Sequence, residues 1–201
     1  MSTNSWTAPT ALAHRELGCP TRPSRGLACV RRELTVRQPV DEVFAFFADA
    51  CNLNIITPPW IGFTILTPAP IAMRRGARID YRIRIRGVPV SWNTVITEWE
   101  PPYRFVDLQL KGPYRWWHHE HRFEACAEGT RIIDEVEFLA PLHWVTHPLF
   151  VSRDVERIFD YRSRALQLLF RVTDGNEHEG TSLSQRLSSA PKTEPRRHDF
   201  V

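Results

Sequence analysis

The chain has 201 residues, 42% of them hydrophobic, and a formal net charge of +3. That length suits one domain with tails, and so small a charge excludes the concentrated positive field of a dedicated nucleic-acid binder. Only Lys111 and Lys192 are lysines among the 26 basic residues, so within the expected domain Lys111 alone is available for Schiff-base chemistry.

Residues 1–28 mix Thr, Ser, Pro and Arg without a period and are expected to form a flexible leader. The folded domain is expected over residues 29–172. It opens with a strand at 30–37, after which Pro39, Asp41 and Glu42 mark a helix N-terminus. Val43, Phe44, Phe46 and Phe47 supply that helix with an apolar face, and a second short helix over Asn52 to Ile56 is stopped by Pro58 and Pro59. Ile61–Leu66 reads as a short apolar strand. In Arg78–Arg86 the apolar Tyr81, Ile83 and Ile85 alternate with Arg82, Arg84 and Arg86. A turn at Gly87-Val88-Pro89 leads into a strand at Val90–Trp99, and Pro101-Pro102 leads into Tyr103–Leu110.

The next strand follows Gly112-Pro113 and contains Trp116-Trp117-His118-His119-Glu120-His121-Arg122-Phe123. Side chains alternate along a strand, so Trp117, His119, His121 and Phe123 share the more apolar, inward face. Ala127-Glu128-Gly129 turns the chain into a partner strand at 130–140, ended by Pro141. After Pro148, residues 149–171 predict one long helix with Val151, Val155, Ile158, Phe159, Leu166 and Leu169 as its apolar stripe. From Thr173 the polar sequence predicts a disordered tail to residue 201. The order predicts an α+β fold: a curved antiparallel sheet wrapped around a long C-terminal helix, with two short helices after the first strand. Such a sheet is expected to bend where Gly and Pro interrupt it.

The cysteines at 19, 29, 51 and 126 form no Cys-x-x-Cys pair and are expected to be reduced thiols. No apolar run of about 18 residues predicts a membrane span. No basic-then-apolar N-terminus predicts a secretory signal, so a cytoplasmic location is expected.

Asp41-Glu42-Val43-Phe44-Ala45-Phe46-Phe47, then Asn52-Leu53 and Thr57-Pro58-Pro59-Trp60, resembles the N-terminal signature of the SRPBCC superfamily of START-type helix-grip domains. The run from Trp92 through Glu98-Trp99-Glu100-Pro101-Pro102, Phe105-Val106-Asp107, Gln109, Gly112-Pro113-Tyr114, Trp117-His118, His121, Gly129-Thr130 and Asp134 is similar to a bacterial ligand-binding or polyketide cyclase/dehydrase-like branch of it. The resemblance spans about residues 33–170 and implies a helix-grip fold with a ligand cavity between sheet and helix. It brings no catalytic residues with it, since the superfamily also includes lipid carriers, hormone receptors and co-chaperones.

A hairpin turning between Cys126 and Gly129 places His121 opposite Asp134, His119 opposite Val136, Phe123 opposite Ile132 and Trp117 opposite Phe138. A carboxylate beside an inward imidazole suits general acid–base catalysis, and it equally suits a structural ion pair. His121 and Asp134 are therefore the candidate catalytic pair, with His119 the weaker acid–base candidate. The candidate cavity wall comprises Tyr81, Ile83, Trp92, Phe105, Trp117, His119, Phe123, Phe138 and Phe159, with Gln109 as an inward hydrogen-bonding group. Arg162, between Phe159 and Leu166 on the helix stripe, either holds an anionic ligand or pairs with Asp134, and the pairing is favoured.

His119 and His121 with Glu124 or Asp134 form an alternative metal set. The Glu spacing departs from cupin-type sites, so no metal and no cofactor is expected. The leading expectation is binding or carriage of a small hydrophobic molecule, with no nucleic-acid partner. The alternatives are a polyketide cyclase/dehydratase-like enzyme using His121 and Asp134, and a protein-interaction module with a filled cavity.

Overall fold

In the computed structural model, which describes residues 17–140 and 148–174, seven antiparallel strands form one sheet in the order β1-β7-β6-β5-β4-β3-β2. The strands are β1 (Ala28–Val36), β2 (Thr64–Ile65), β3 (Arg78–Ile85), β4 (Val88–Glu100), β5 (Arg104–Lys111), β6 (Trp116–Cys126) and β7 (Gly129–Leu139). Helices α1 (Val40–Phe47) and α2 (Leu53–Ile56) follow β1, and α3 (Pro148–Asp174) closes the concave side. This is the expected curved sheet, long C-terminal helix and pair of short helices. The expected tail beyond Asp174 and most of the expected leader lie outside the described residues.

Local chemistry explains the boundaries. Glu42 and Val43 donate their backbone N–H groups to the Pro39 carbonyl, and Asp41 and Glu42 supply negative charge to the first turn of α1. A 3₁₀ turn at Ala50–Asn52 precedes α2, with the Asp49 carboxylate accepting from the Cys51 N–H at 2.9 Å. Ile61, expected in a strand, instead ends a 3₁₀ turn at Pro59–Ile61, and β2 contracts to two residues. The β3–β4 hairpin turns at Arg86-Gly87, both with positive φ, so Val88 and Pro89 pair with Ile85 and Arg84 instead of forming the turn. Two residues of positive φ match the right-handed twist of the flanking strands, which a longer turn would not.

Register shifts fall between Asn93 and Thr94 and between Ile96 and Glu98 of β4, and bulges of this kind add twist and curvature. Between β6 and β7 the register is continuous: Trp117 faces Phe138, His119 faces Val136, His121 faces Asp134 and Phe123 faces Ile132.

Two buried apolar clusters occupy the concave side. One joins Phe44, Phe46 and Phe47 of α1 to Phe105, Phe123, Ile132, Leu166 and Phe170. The other joins Ile83, Trp92, Trp117, Val136 and Phe138 to Val155 and Phe159. A third lies on the convex side, where Leu17, Cys19 and Leu27 cover Val95, Leu108 and Trp116. Leu17, Cys19 and Leu27, in a stretch expected to be a flexible leader, thus pack over the outward Trp116, which would otherwise expose a large apolar ring. The Arg22 and Glu137 side chains pair over the same face at 2.9 Å.

The β6–β7 register depends on Gly129. Its φ is 129°, and a Cβ there would lie 2.3 Å from the Val36 carbonyl oxygen. Gly129→Ala is expected to destabilise the fold by about 2 kcal/mol or more, measured as a lower urea midpoint at unchanged slope.

Candidate functional site

Histidines 119 and 121 stand where the two concave clusters meet. The His121 ring stacks on Phe105 with centroids 4.2 Å apart and lies 5.8 Å from Phe47. The His119 ring lies 5.2 Å from Phe159 and 3.9 Å from that of His121. Buried among aromatics, both imidazoles need polar partners, and two carboxylates provide them.

On one side is Asp134. Its Oδ1 lies 2.7 Å from His119 Nε2 and 2.8 Å from His121 Nδ1, and its Oδ2 lies 2.6 Å from Arg162 Nε. The Arg162 contact is an ion pair whose N–H is not aligned on the oxygen. Arg162 therefore takes the expected pairing with Asp134. His119, although directly opposite Val136, reaches Asp134 as closely as His121 does. Residue 134 is its diagonal neighbour on the same sheet face, within range of a long ring.

On the other side is Asp107 of β5. Its Oδ2 lies 3.3 Å from His119 Nδ1 and 3.5 Å from His121 Nε2. The Thr94 hydroxyl lies 3.1 Å from Asp107 Oδ1. Each imidazole is thus held between two carboxylates.

The charges follow from this arrangement. Burial works to raise both carboxyl groups, but it is outweighed. Arg162 and the two histidines hold Asp134 well below the usual carboxylate range, and hydrogen bonds and charge from His119 and His121 do the same for Asp107. Burial works against the His119 cation, yet the charge of Asp134 and the hydrogen bonds to both aspartates push it up to about 9. Burial raises the Tyr81 phenol well above its ordinary value, which keeps it a neutral hydroxyl.

The cluster forms part of the wall of a cavity of about 660 Å³ between the sheet and α3. Tyr81, Ile83, Trp92, Phe105, Trp117 and Phe159 line it, as do His119, His121, Asp107, Thr94 and Arg162. Trp60, Arg86 and Arg157 are exposed lining residues and mark its mouth, with Arg157 over the Trp60 ring at 5.8 Å.

Several candidate residues stand elsewhere. Phe123 and Phe138 are fully enclosed in the two clusters and do not reach the cavity. Gln109 also stays out: its Nε2 donates to the Tyr114 carbonyl at 2.6 Å, fastening the β5–β6 turn. Asp134 lies behind the histidines, outside the lining. Glu124 is bonded to Arg131 away from them. The sequence reading missed Asp107, although it shares the strand face of Phe105. Among the described residues, the group able to hold a metal is Asp107, His119 and His121, one donor atom from each lying within 4.8 Å of the others.

No family model and no curated protein matches the chain. Solved structures do. The di-domain aromatase/cyclase StfQ of the steffimycin biosynthetic pathway aligns with a TM-score of 0.57 at 14% identity, over 74% of this chain and 52% of that one. The Zhui aromatase/cyclase from Streptomyces sp. R1128 aligns at 0.53 and 18% identity, over 69% of this chain and 88% of that one. Ara h 8.0201 aligns at 0.51 and 16% identity, over 70% of this chain and 95% of that one. The chain has the helix-grip fold. In this helix-grip domain, no helix among the described residues is long and apolar enough to cross a membrane.

Removing the Asp134 charge strands Arg162 in the interior of this helix-grip domain. Asp134→Ala is expected to cost about 3 kcal/mol or more of stability, read from equilibrium urea unfolding. A midpoint equal to wild type would show that the network contributes nothing to folding.

Proposed function

We propose that the protein binds a small, largely apolar molecule whose polar end meets the His119–His121–Arg162 cluster. The observation that carries this reading is the cavity itself: about 660 Å³, aromatic and aliphatic over most of its wall, with Asp107, His119, His121 and Arg162 clustered on that wall. That volume falls within the range of small-molecule sites, roughly 300–1,000 Å³. The chemistry favours a flat or ring-containing molecule, since Trp92, Trp117, Tyr81 and Phe105 offer ring faces and edges. A carbonyl, hydroxyl or carboxylate on it would find donors at Arg162, His119 and Tyr81. An interaction module with a filled cavity does not fit this open volume.

The test is a titration of the full chain with a hydroxynaphthoate, followed through quenching of tryptophan fluorescence. Saturable one-to-one binding is expected, with naphthalene at least tenfold weaker. Ile85→Trp, which crowds the lining from a partly buried position, should weaken the hydroxynaphthoate by about tenfold or more, as expected for loss of shape fit in a preformed pocket. Non-saturable binding, or equal binding of naphthalene and hydroxynaphthoate, would count against the reading.

A second reading, a cyclase or dehydratase acting on a polyketide-type carbonyl substrate, is supported by the two carboxylate-bound imidazoles at the cavity wall. The aromatase/cyclase names among the fold neighbours agree with it at the level of fold. His121 would then transfer protons, with Asp134 orienting its ring. Under that reading His121→Asn keeps hydroxynaphthoate binding within a few-fold and lowers turnover of an aromatic-forming poly-β-ketone by about 100-fold or more. Turnover unchanged in this variant would remove His121 from the mechanism.

A further inference from the structure

Distances around the two histidines fall into two classes. On the Asp134 side they are 2.7 and 2.8 Å, the length of strong charge-assisted hydrogen bonds. On the Asp107 side they are 3.3 and 3.5 Å, too long for such bonds. Two donors bound to one ion at about 2.1 Å in tetrahedral geometry lie about 3.4 Å apart. The two Asp107 contacts therefore match two edges of a coordination polyhedron, and one donor atom from each of the three residues lies within 4.8 Å of the others.

We infer that His119 Nδ1, His121 Nε2 and Asp107 Oδ2 form a binding site for a divalent transition-metal ion that opens into the cavity. Two further observations agree. Metal-binding histidines commonly donate their second ring N–H to a carboxylate that fixes the tautomer. Asp134 accepts from His119 Nε2 at 2.7 Å and lies 2.8 Å from His121 Nδ1, which also has Arg162 Nη2 at 3.5 Å, and Arg162 Nε pairs with the other Asp134 oxygen. The orientation also agrees, because Asp107, His119 and His121 line the cavity while Asp134 stands behind them. An ion held by three protein donors would keep positions free on the cavity side, as open sites do.

Charge identifies what would fill those positions. Binding an ion needs both imidazoles neutral, so His119 gives up the proton it otherwise holds; Asp107, Asp134 and Arg162 then sum to −1, and a divalent ion changes this to +1. An anionic oxygen donor, a carboxylate or enolate on the apolar ligand, closes the balance. The inference goes beyond the ligand-binding reading, because the cavity can hold an apolar molecule whether or not an ion is present.

The experiment uses the full chain stripped with a chelator and titrated with Zn²⁺ by calorimetry and with Co²⁺ by visible absorption. One ion per chain is expected, with Co²⁺ bands of four- or five-coordinate intensity. Asp107→Ala, His119→Ala and His121→Ala should each weaken Zn²⁺ by at least 100-fold. Asp134→Asn should weaken it by about 10- to 100-fold, and Glu124→Gln should leave it unchanged. Because the buried variants risk misfolding, the wild-type Co²⁺ complex carries an independent test: proton NMR should show two exchangeable, paramagnetically shifted imidazole N–H signals, those of the nitrogens facing Asp134. Absence of one-to-one uptake, absence of those two signals, or unaltered Zn²⁺ affinity in folded Asp107→Ala would overturn the site. Hydroxynaphthoate binding to the metal-free chain reads the cavity separately, so either idea can fail without the other.

Discussion

The Asp134 carboxylate is the constraint on which the rest of the interior depends. It is buried behind two rings, and a charge removed from water must be answered locally. Three groups answer it: His119 and His121 on β6, and Arg162 on α3. The same contacts tie the helix to the middle of the sheet, with Arg32 and Asp160 adding an outer pair at 2.8 Å. An isolated buried ion pair contributes little net stability; here the pair also sets where the helix lies, which apolar packing along a smooth stripe specifies poorly.

That tether divides α3 into two parts. Beyond Arg162, Leu166 and Phe170 pack tightly into the cluster with Phe46, Phe47 and Ile56 of α1 and α2. Before it, Val151, Asp154 and Ile158 line open volume. The closed half supplies the hydrophobic stabilisation and the open half supplies the cavity, with the polar cluster at the boundary. Aromatic side chains do not fill the open half because they are braced against one another: Trp92 meets Trp117 edge-on at 5.1 Å and stacks with Tyr81 at 5.7 Å. Rings held this way resist collapsing into the space between them.

The fold was largely legible in the sequence, because helix periodicity, strand alternation and turn residues agreed with one another. The His121–Asp134 register was legible for a particular reason: Gly129 fixes the end of the hairpin, and period-two alternation then leaves one register with Ile132, Val136 and Phe138 inside. Asp107 was hidden by the opposite circumstance. Val106 and Leu108 are as buried as Phe105, so both faces of β5 are apolar and alternation cannot identify the inner one. The outer face is apolar because Leu17, Cys19 and Leu27 cover it, and the mixed Thr, Ser, Pro and Arg composition of the leader carries no signal of that packing. Gln109 was misplaced through the same ambiguity; it shares the inner parity but lies beside a turn, where its amide serves the backbone.

Asymmetry between the two aspartates assigns roles within the cluster whichever chemistry it performs. Asp134 is saturated, with both oxygens engaged at short distance and no access to the cavity. A group so held is poorly suited to exchange partners during a reaction, and its role is to orient. Asp107 is bound more loosely and faces the open volume with Thr94 as its hydroxyl neighbour. Nitrogens facing Asp107, His119 Nδ1 and His121 Nε2, are therefore the ones a ligand, a proton or an ion can reach. The pairing first suggested by the sequence, His121 with Asp134, is the rear support of this site. Its working face is formed by the same histidines with a different aspartate.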